Sequence, residues 1–171
     1  MVKPWDGALR GEHETLRRRA GMLNSLFRLD AAPEDRRVVF LWMLRQLVPE
    51  TELHLRKEET ILFPALERLV GKEHHAFTLL RENHRRLRSD LRQLAELLQD
   101  PERTEWEALR EGARDFSEAV DRHDREQPHL LFEVLGYTLK HSELLALTRE
   151  LEALARRAYE EEGWPRPAAP V

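Results

Sequence analysis

A chain of 171 residues is long enough for one domain with a real core and too short for two comfortable ones. It contains no Cys, which excludes disulfides, thiolate metal sites and iron–sulfur clusters. Of its 28 basic residues 24 are Arg, interspersed with 32 acidic residues to a net charge of −4, so no nucleic-acid stripe is expected and the triplet Arg17, Arg18, Arg19 reads as a solvated helix face.

Apolar residues recur at spacings of three and four, and no segment alternates as a strand does, so the chain is read as all-α. The first helix is expected from about Asp6 to Arg28, with Leu9, His13, Leu16, Ala20, Leu23 and Phe27 on one stripe. Pro33, a favourable first helical residue, opens a second helix that reaches Val70. Its stripe is Phe40, Leu44, Leu47, Thr51, His54, Glu58, Ile61 and Ala65. Pro49 is expected to kink it, Pro64 to weaken its last turns and Gly71 to end it.

The third helix is expected from about Glu73 to Gln99, with Phe77, Leu80, His84, Leu87, Leu91, Leu94 and Leu98 inward. After an Asp100-Pro101 turn the fourth runs from about Glu102 to Leu135 and presents Leu109, Ala113, Phe116, Val120, His123, Gln127 and Leu130. A shorter fifth helix follows Gly136, spans about 142–160 and takes Ser142 as its N-cap. The Pro- and Ala-rich stretch 163–171 reads as a disordered tail. Short loops between long helices give antiparallel neighbours. The expectation is a single domain over 1–162: an up-down-up-down four-helix bundle, with its core over 6–135, and an additional C-terminal helix. No apolar run approaches the ~20 residues of a membrane span, and the first residues carry no signal core. A cytoplasmic protein without membrane contact is expected.

Four histidines, His13, His54, His84 and His123, stand where an apolar residue belongs, one on each stripe, and Glu58 does the same one turn after His54. Residues four apart share a helix face about 6 Å apart along the axis, so His54 and Glu58 can reach one ion. Counted from the turns at about 1.5 Å per residue, all four histidines fall within one or two helical turns of a common plane. The chain also repeats weakly: His13 to His54 is 41 residues, His84 to His123 is 39, and each first member begins His-x-x-Leu. One buried histidine is ordinarily a core residue with a local hydrogen-bond partner. Five buried polar groups left without partners would cost about 1–3 kcal/mol each. That sum rivals a domain's stability of about 5–15 kcal/mol. A metal ion removes the deficit by taking the imidazole lone pairs and neutralising the carboxylate.

These residues resemble the hemerythrin-like family, or HHE cation-binding domain, over about residues 6 to 135. That family's pattern places a His on the first helix, His-x-x-x-Glu on the second, His on the third and His-x-x-x-Glu on the fourth. His13, His54 with Glu58, His84 and His123 match, and Glu59 with Leu62-Phe63-Pro64 extends the second motif. The resemblance implies a four-helix bundle around a bridged di-iron centre. It implies metal ligands at His13, His54, Glu58, His84, His123 and, by position, Gln127. Gln127 departs from the pattern, being neutral where the family has a second bridging carboxylate. The adjacent Pro128 could shift the turn and let Glu126 swing inward. Leu80 stands where some members carry a further His. Glu126-x-x-His129 formally matches the Glu-x-x-His motif of ferritin-like bundles, but that architecture needs two such motifs. His74 shares the stripe of His84 but lies about 15 Å away along the helix, too far for the same site, and His75, His129 and His141 are placed near helix ends or solvent.

The expected function is therefore non-haem metal binding. Two iron ions lead, with one iron, or manganese or zinc, as alternatives that the ligand types admit. The family's roles imply that a small diatomic molecule, oxygen or nitric oxide, is bound or sensed, or iron itself, or that the protein answers oxidative stress. No general base or substrate pocket demands catalysis. The competing expectation is a helical-bundle interaction or structural module with a mononuclear or lost metal site. Its homodimer or protein partner would dock through the C-terminal helix.

Overall fold

The computed structural model describes residues 7–26, 33–100 and 104–164, without the side chains of residues 8, 33, 76 and 127–130. Among the described residues every regular element is helical. Helix α1 is Gly7–Leu26 and α2 is Pro33–Lys57. A five-residue π-helical turn, Glu58–Leu62, joins α2 to α3, Phe63–Val70. Helix α4 is His75–Leu97. Helix α5, Trp106–Pro128, passes through a second π turn, His129–Glu133, into α6, Val134–Thr138, and α7 is His141–Glu160. The four long arms form the expected up-down-up-down bundle, with α7 as the additional helix.

The π turns sit beside prolines for a physical reason. Pro64 has no N–H to return to the carbonyl of Thr60, so the regular i−4 ladder breaks there. The Phe63 N–H goes instead to the carbonyl of Glu58, five residues back. The turn is thereby widened by one residue, and Glu58, Ile61, Leu62 and Phe63 are all buried within it or against it. Such turns concentrate at functional sites. Pro49 does not interrupt α2.

Three boundaries differ from expectation. The fourth arm begins at Trp106 rather than at Glu102, which itself lies outside the described residues. Thr104 explains the delay: its N–H bonds the Asp100 carbonyl at 3.1 Å, and its hydroxyl reaches the carbonyls of Leu97 and Asp100 at 3.1 and 2.9 Å. It thus satisfies carbonyls that α4 leaves open at its end. Gly136 is buried inside α6, and the break falls at Leu139 and Lys140, both extended. Ser142 is not the cap of α7. Lys140 holds that position, its N–H donating to Glu143 Oε2 at 2.8 Å. Gly163 (φ +71°) reverses the chain so that the Trp164 N–H reaches the Ala158 carbonyl at 3.0 Å, a glycine-terminated helix end. Trp164 packs on the core, and the rest of the expected tail, 165–171, lies outside the described residues.

The apolar interior is in two bodies. One, built around Leu16, Leu23, Phe40, Leu47, Leu94 and Phe116, fills the end of the bundle near the α1–α2 and α4–α5 connections. The other, around Leu9, Leu62, Phe77, Leu80 and Leu131, is completed by Leu144, Leu147, Leu151, Leu154 and Ala158 of α7. The apolar stripe of α7 is therefore spent on the chain's own core. No described helix is long and apolar enough to cross a membrane.

Candidate metal centre

Between the two apolar bodies lies a polar layer made of the five residues that interrupt the stripes. His13 of α1, His54 of α2, Glu58 of the first π turn, His84 of α4 and His123 of α5 are all buried, with Glu58 0% exposed. Helical phase alone puts them there, because each occupies a core position of its own stripe.

Every imidazole turns its Nε2 toward Glu58. His13 Nε2 and His54 Nε2 lie 3.5 and 3.4 Å from Glu58 Oε1. His84 Nε2 and His123 Nε2 lie 3.1 and 3.6 Å from Glu58 Oε2. His54 Nε2 and His123 Nε2 are 3.3 Å apart. The rings of His13 and His123 stack at 5.2 Å, and the His54 ring stands edge-on to both. Phe132 meets His13 edge-on at 5.5 Å and Phe63 meets His84 at 4.6 Å, so apolar rings of one core body lie against two of the four imidazoles.

The outer nitrogens are held differently. His13 Nδ1 donates to the Leu9 carbonyl at 2.9 Å. His54 Nδ1 faces Glu12 Oε2 at 3.1 Å, and His84 Nδ1 faces Glu59 Oε1 at 3.0 Å. His123 Nδ1 and His13 Nε2 are buried without a hydrogen-bond partner. Orphaned buried nitrogens are costly, and His13 Nε2, which faces Glu58, is one that a cation among the Nε2 atoms would satisfy.

Electrostatics favour a deprotonated, cation-ready site. Burial is the largest influence on Glu58 and alone would raise its pKa, but the surrounding histidines outweigh it and hold the carboxyl well below its ordinary range. Burial pushes His123 well below the usual histidine value and lowers His13 too, so both stay neutral. His84 is the exception: burial lowers it, yet its hydrogen bonds to Glu58 and Glu59 prevail and raise it. The donor set is imidazole nitrogen and carboxylate oxygen, free of thiolate, and the ligand atoms of His13, His54, Glu58 and His123 all lie within 4.8 Å of one another. These residues fit a non-haem metal ion of the iron, manganese or zinc type.

Of the residues singled out in the sequence, these five come together. Gln127 falls on α5 by its backbone, but its side chain lies outside the described residues, as do those of Pro128 and His129. Glu126 does not swing inward: it is exposed and accepts a hydrogen bond from Asn83 at 2.8 Å. His74, His75 and His141 are exposed, away from the layer. Sequence reasoning missed Glu12, Lys57 and Arg88, and it named Glu59 only as part of the second motif, without a contact to His84. Lys57 is buried against Glu12, and Arg88 grips Glu59 through two nitrogens at 3.1 and 2.8 Å while also pairing with Glu52. The available signal was adjacency, since Glu12 precedes one candidate ligand and Glu59 follows another.

Comparison with known proteins agrees with this geometry. The family model of the hemerythrin HHE cation-binding domain matches residues 6–135. No curated protein matches the chain.

Proposed function

The chain belongs to the hemerythrin HHE cation-binding domain family, and from that premise we propose that its polar layer is a di-iron centre that binds or senses oxygen, nitric oxide or iron. The observation that supports this reading most directly is the division of the four Nε2 atoms, two on each oxygen of Glu58. A carboxylate so flanked is arranged to bridge two cations. His13 and His54 would hold one ion, His84 and His123 the other, with Glu58 between them. Bound iron supplies a redox-active Lewis acid for a diatomic ligand. The chain's own part is to orient the imidazoles, to keep Glu58 ionised, and to exclude bulk water with Phe63, Phe132 and the two apolar bodies.

A second reading has its own support. The ligand atoms of His13, His54, Glu58 and His123 lie close enough together for a single ion, and Gln127 brings no negative charge to the layer. Elemental mass spectrometry on freshly purified wild type and His54→Ala separates the two. Two iron per chain, lost in the variant, fits the di-iron centre, whereas one per chain fits the mononuclear site. A wild type that takes up no metal even after anaerobic loading with ferrous iron would sink both.

A further inference from the structure

The two carboxylates that back the histidines are each the chain neighbour of an inward-facing ligand. Glu12 precedes His13, and Glu59 follows Glu58. Successive helical residues point about 100° apart, so the neighbour of an inward residue faces the seam with the adjacent helix. Across that seam Glu12 of α1 meets His54 of α2, and Glu59 of the π turn meets His84 of α4.

We propose that Glu12 and Glu59 are positioning residues for the metal centre, a role that rests on the metal-binding reading above. Each accepts the Nδ1 proton of its histidine, which commits that ring to present a bare Nε2 to the metal and raises its basicity. Each is held by a cation of its own, Glu12 by the buried Lys57 and Glu59 by the two-pronged grip of Arg88. The carboxylates therefore stay ionised and keep a single orientation. The distribution is even. His54 lies on the Oε1 side of Glu58 and His84 on the Oε2 side, whereas their companions His13 and His123 have no carboxylate behind them. Each half of the centre thus has one carboxylate-backed imidazole and one without. Two remote negative charges would strengthen a ligand set that has a single carboxylate of its own.

Zinc, diamagnetic and accepted by the same ligand types, serves as the probe on the full chain. The comparison is wild type against Glu12→Ala, Glu59→Ala, Glu12→Gln and Glu59→Gln. Binding is read by competition with a chromophoric chelator, and the Nδ1–H signals of His54 and His84 by nitrogen-15 NMR of the zinc form. Each alanine variant should weaken zinc about 10–100-fold. Glu12→Ala should erase the ring N–H signal of His54 alone, and Glu59→Ala that of His84 alone. Each glutamine variant, which keeps an acceptor oxygen but no charge, should fall between alanine and wild type and keep the signal. Lys57→Met combined with Glu12→Ala avoids stranding a buried ammonium and replaces the single variant if that does not fold. Zinc bound within threefold of wild type by both alanine variants, with both ring signals intact, overturns the positioning role alone. Wild type that stays helical and binds no zinc overturns the metal reading and this role with it.

Discussion

His54 and His123 meet at the centre of the bundle with their Nε2 atoms 3.3 Å apart. Two bare lone pairs at that distance repel, so a proton sits between them in the metal-free chain. His54 directs Nδ1 at Glu12, which leaves its Nε2 to accept; the proton belongs to His123, whose Nδ1 has no partner.

A metal ion at His123 Nε2 moves that proton to the ring's other nitrogen, Nδ1, and the ring stays neutral, whereas at His84 the ion competes with the additional proton that the raised pKa favours. Metal binding should therefore release a proton from His84, read by calorimetry in two buffers of different ionisation enthalpy. Apparent affinity should fall as pH drops, beginning above about 6.5, the ordinary histidine value, because His84 is raised above it. Affinity that stays flat between about pH 8 and 5.5 would contradict this assignment of protons.

Glu58→Gln removes the charge that the four imidazoles share. Metal content should fall about tenfold or more. Burial would then dominate at His84, with one of its two carboxylate partners gone, so its titration midpoint should move down from the wild-type position. Ring-proton NMR of the metal-free chain checks this independently of metal. An unmoved midpoint would mean that Glu59 alone holds His84 up.

Glu59 has a folded-state pKa held at about 2 against an ordinary 4.5: burial, its largest influence, raises it, and the bonds from His84 and Arg88 more than reverse that. A depressed carboxyl pKa gives stability that is present above the ordinary value and is lost as pH falls from there through the folded value. With allowance for its partial exposure, the contribution is about 1–2 kcal/mol. Urea midpoints of wild type and Glu59→Gln should differ at pH 7 and converge between pH 4.5 and 2. A gap that persists to pH 2 would assign the loss to packing instead.

Gly21 is exposed within α1, and a Cβ added there meets nothing within 4 Å. Gly21→Ala should stabilise the chain by about 0.5–1 kcal/mol through helix propensity, without touching the centre. An unchanged or lower denaturation midpoint would show that α1 uses a glycine there for something beyond its own helix.

The ligand layer was legible in the sequence because His13, His54, Glu58, His84 and His123 each break an apolar stripe, and a stripe is a statement about what lies inside. Glu12, Lys57, Glu59 and Arg88 break nothing. They occupy seam positions, where a charged residue reads like any solvated one until the neighbouring helix is in place. The π turn at Glu58–Leu62 announced itself only as Pro64, which foretold a weakened ladder but not an added residue within a continuous arm. The late start of α5 depended on Thr104 folding back onto Leu97, a contact across seven residues that helical periodicity does not encode.

The division of the interior by a polar layer also bears on how the chain finds its register. Leucine stripes are forgiving: sliding one helix by a turn, about 5.4 Å, leaves leucine facing leucine. The layer removes that freedom. After such a slip His84, between Leu80 and Leu87, would face hydrocarbon with its polar nitrogens unanswered, and the same holds for His13 between Leu9 and Leu16. The residues that would receive a metal thus also act as an alignment mark, by which four otherwise interchangeable greasy surfaces stop at one height.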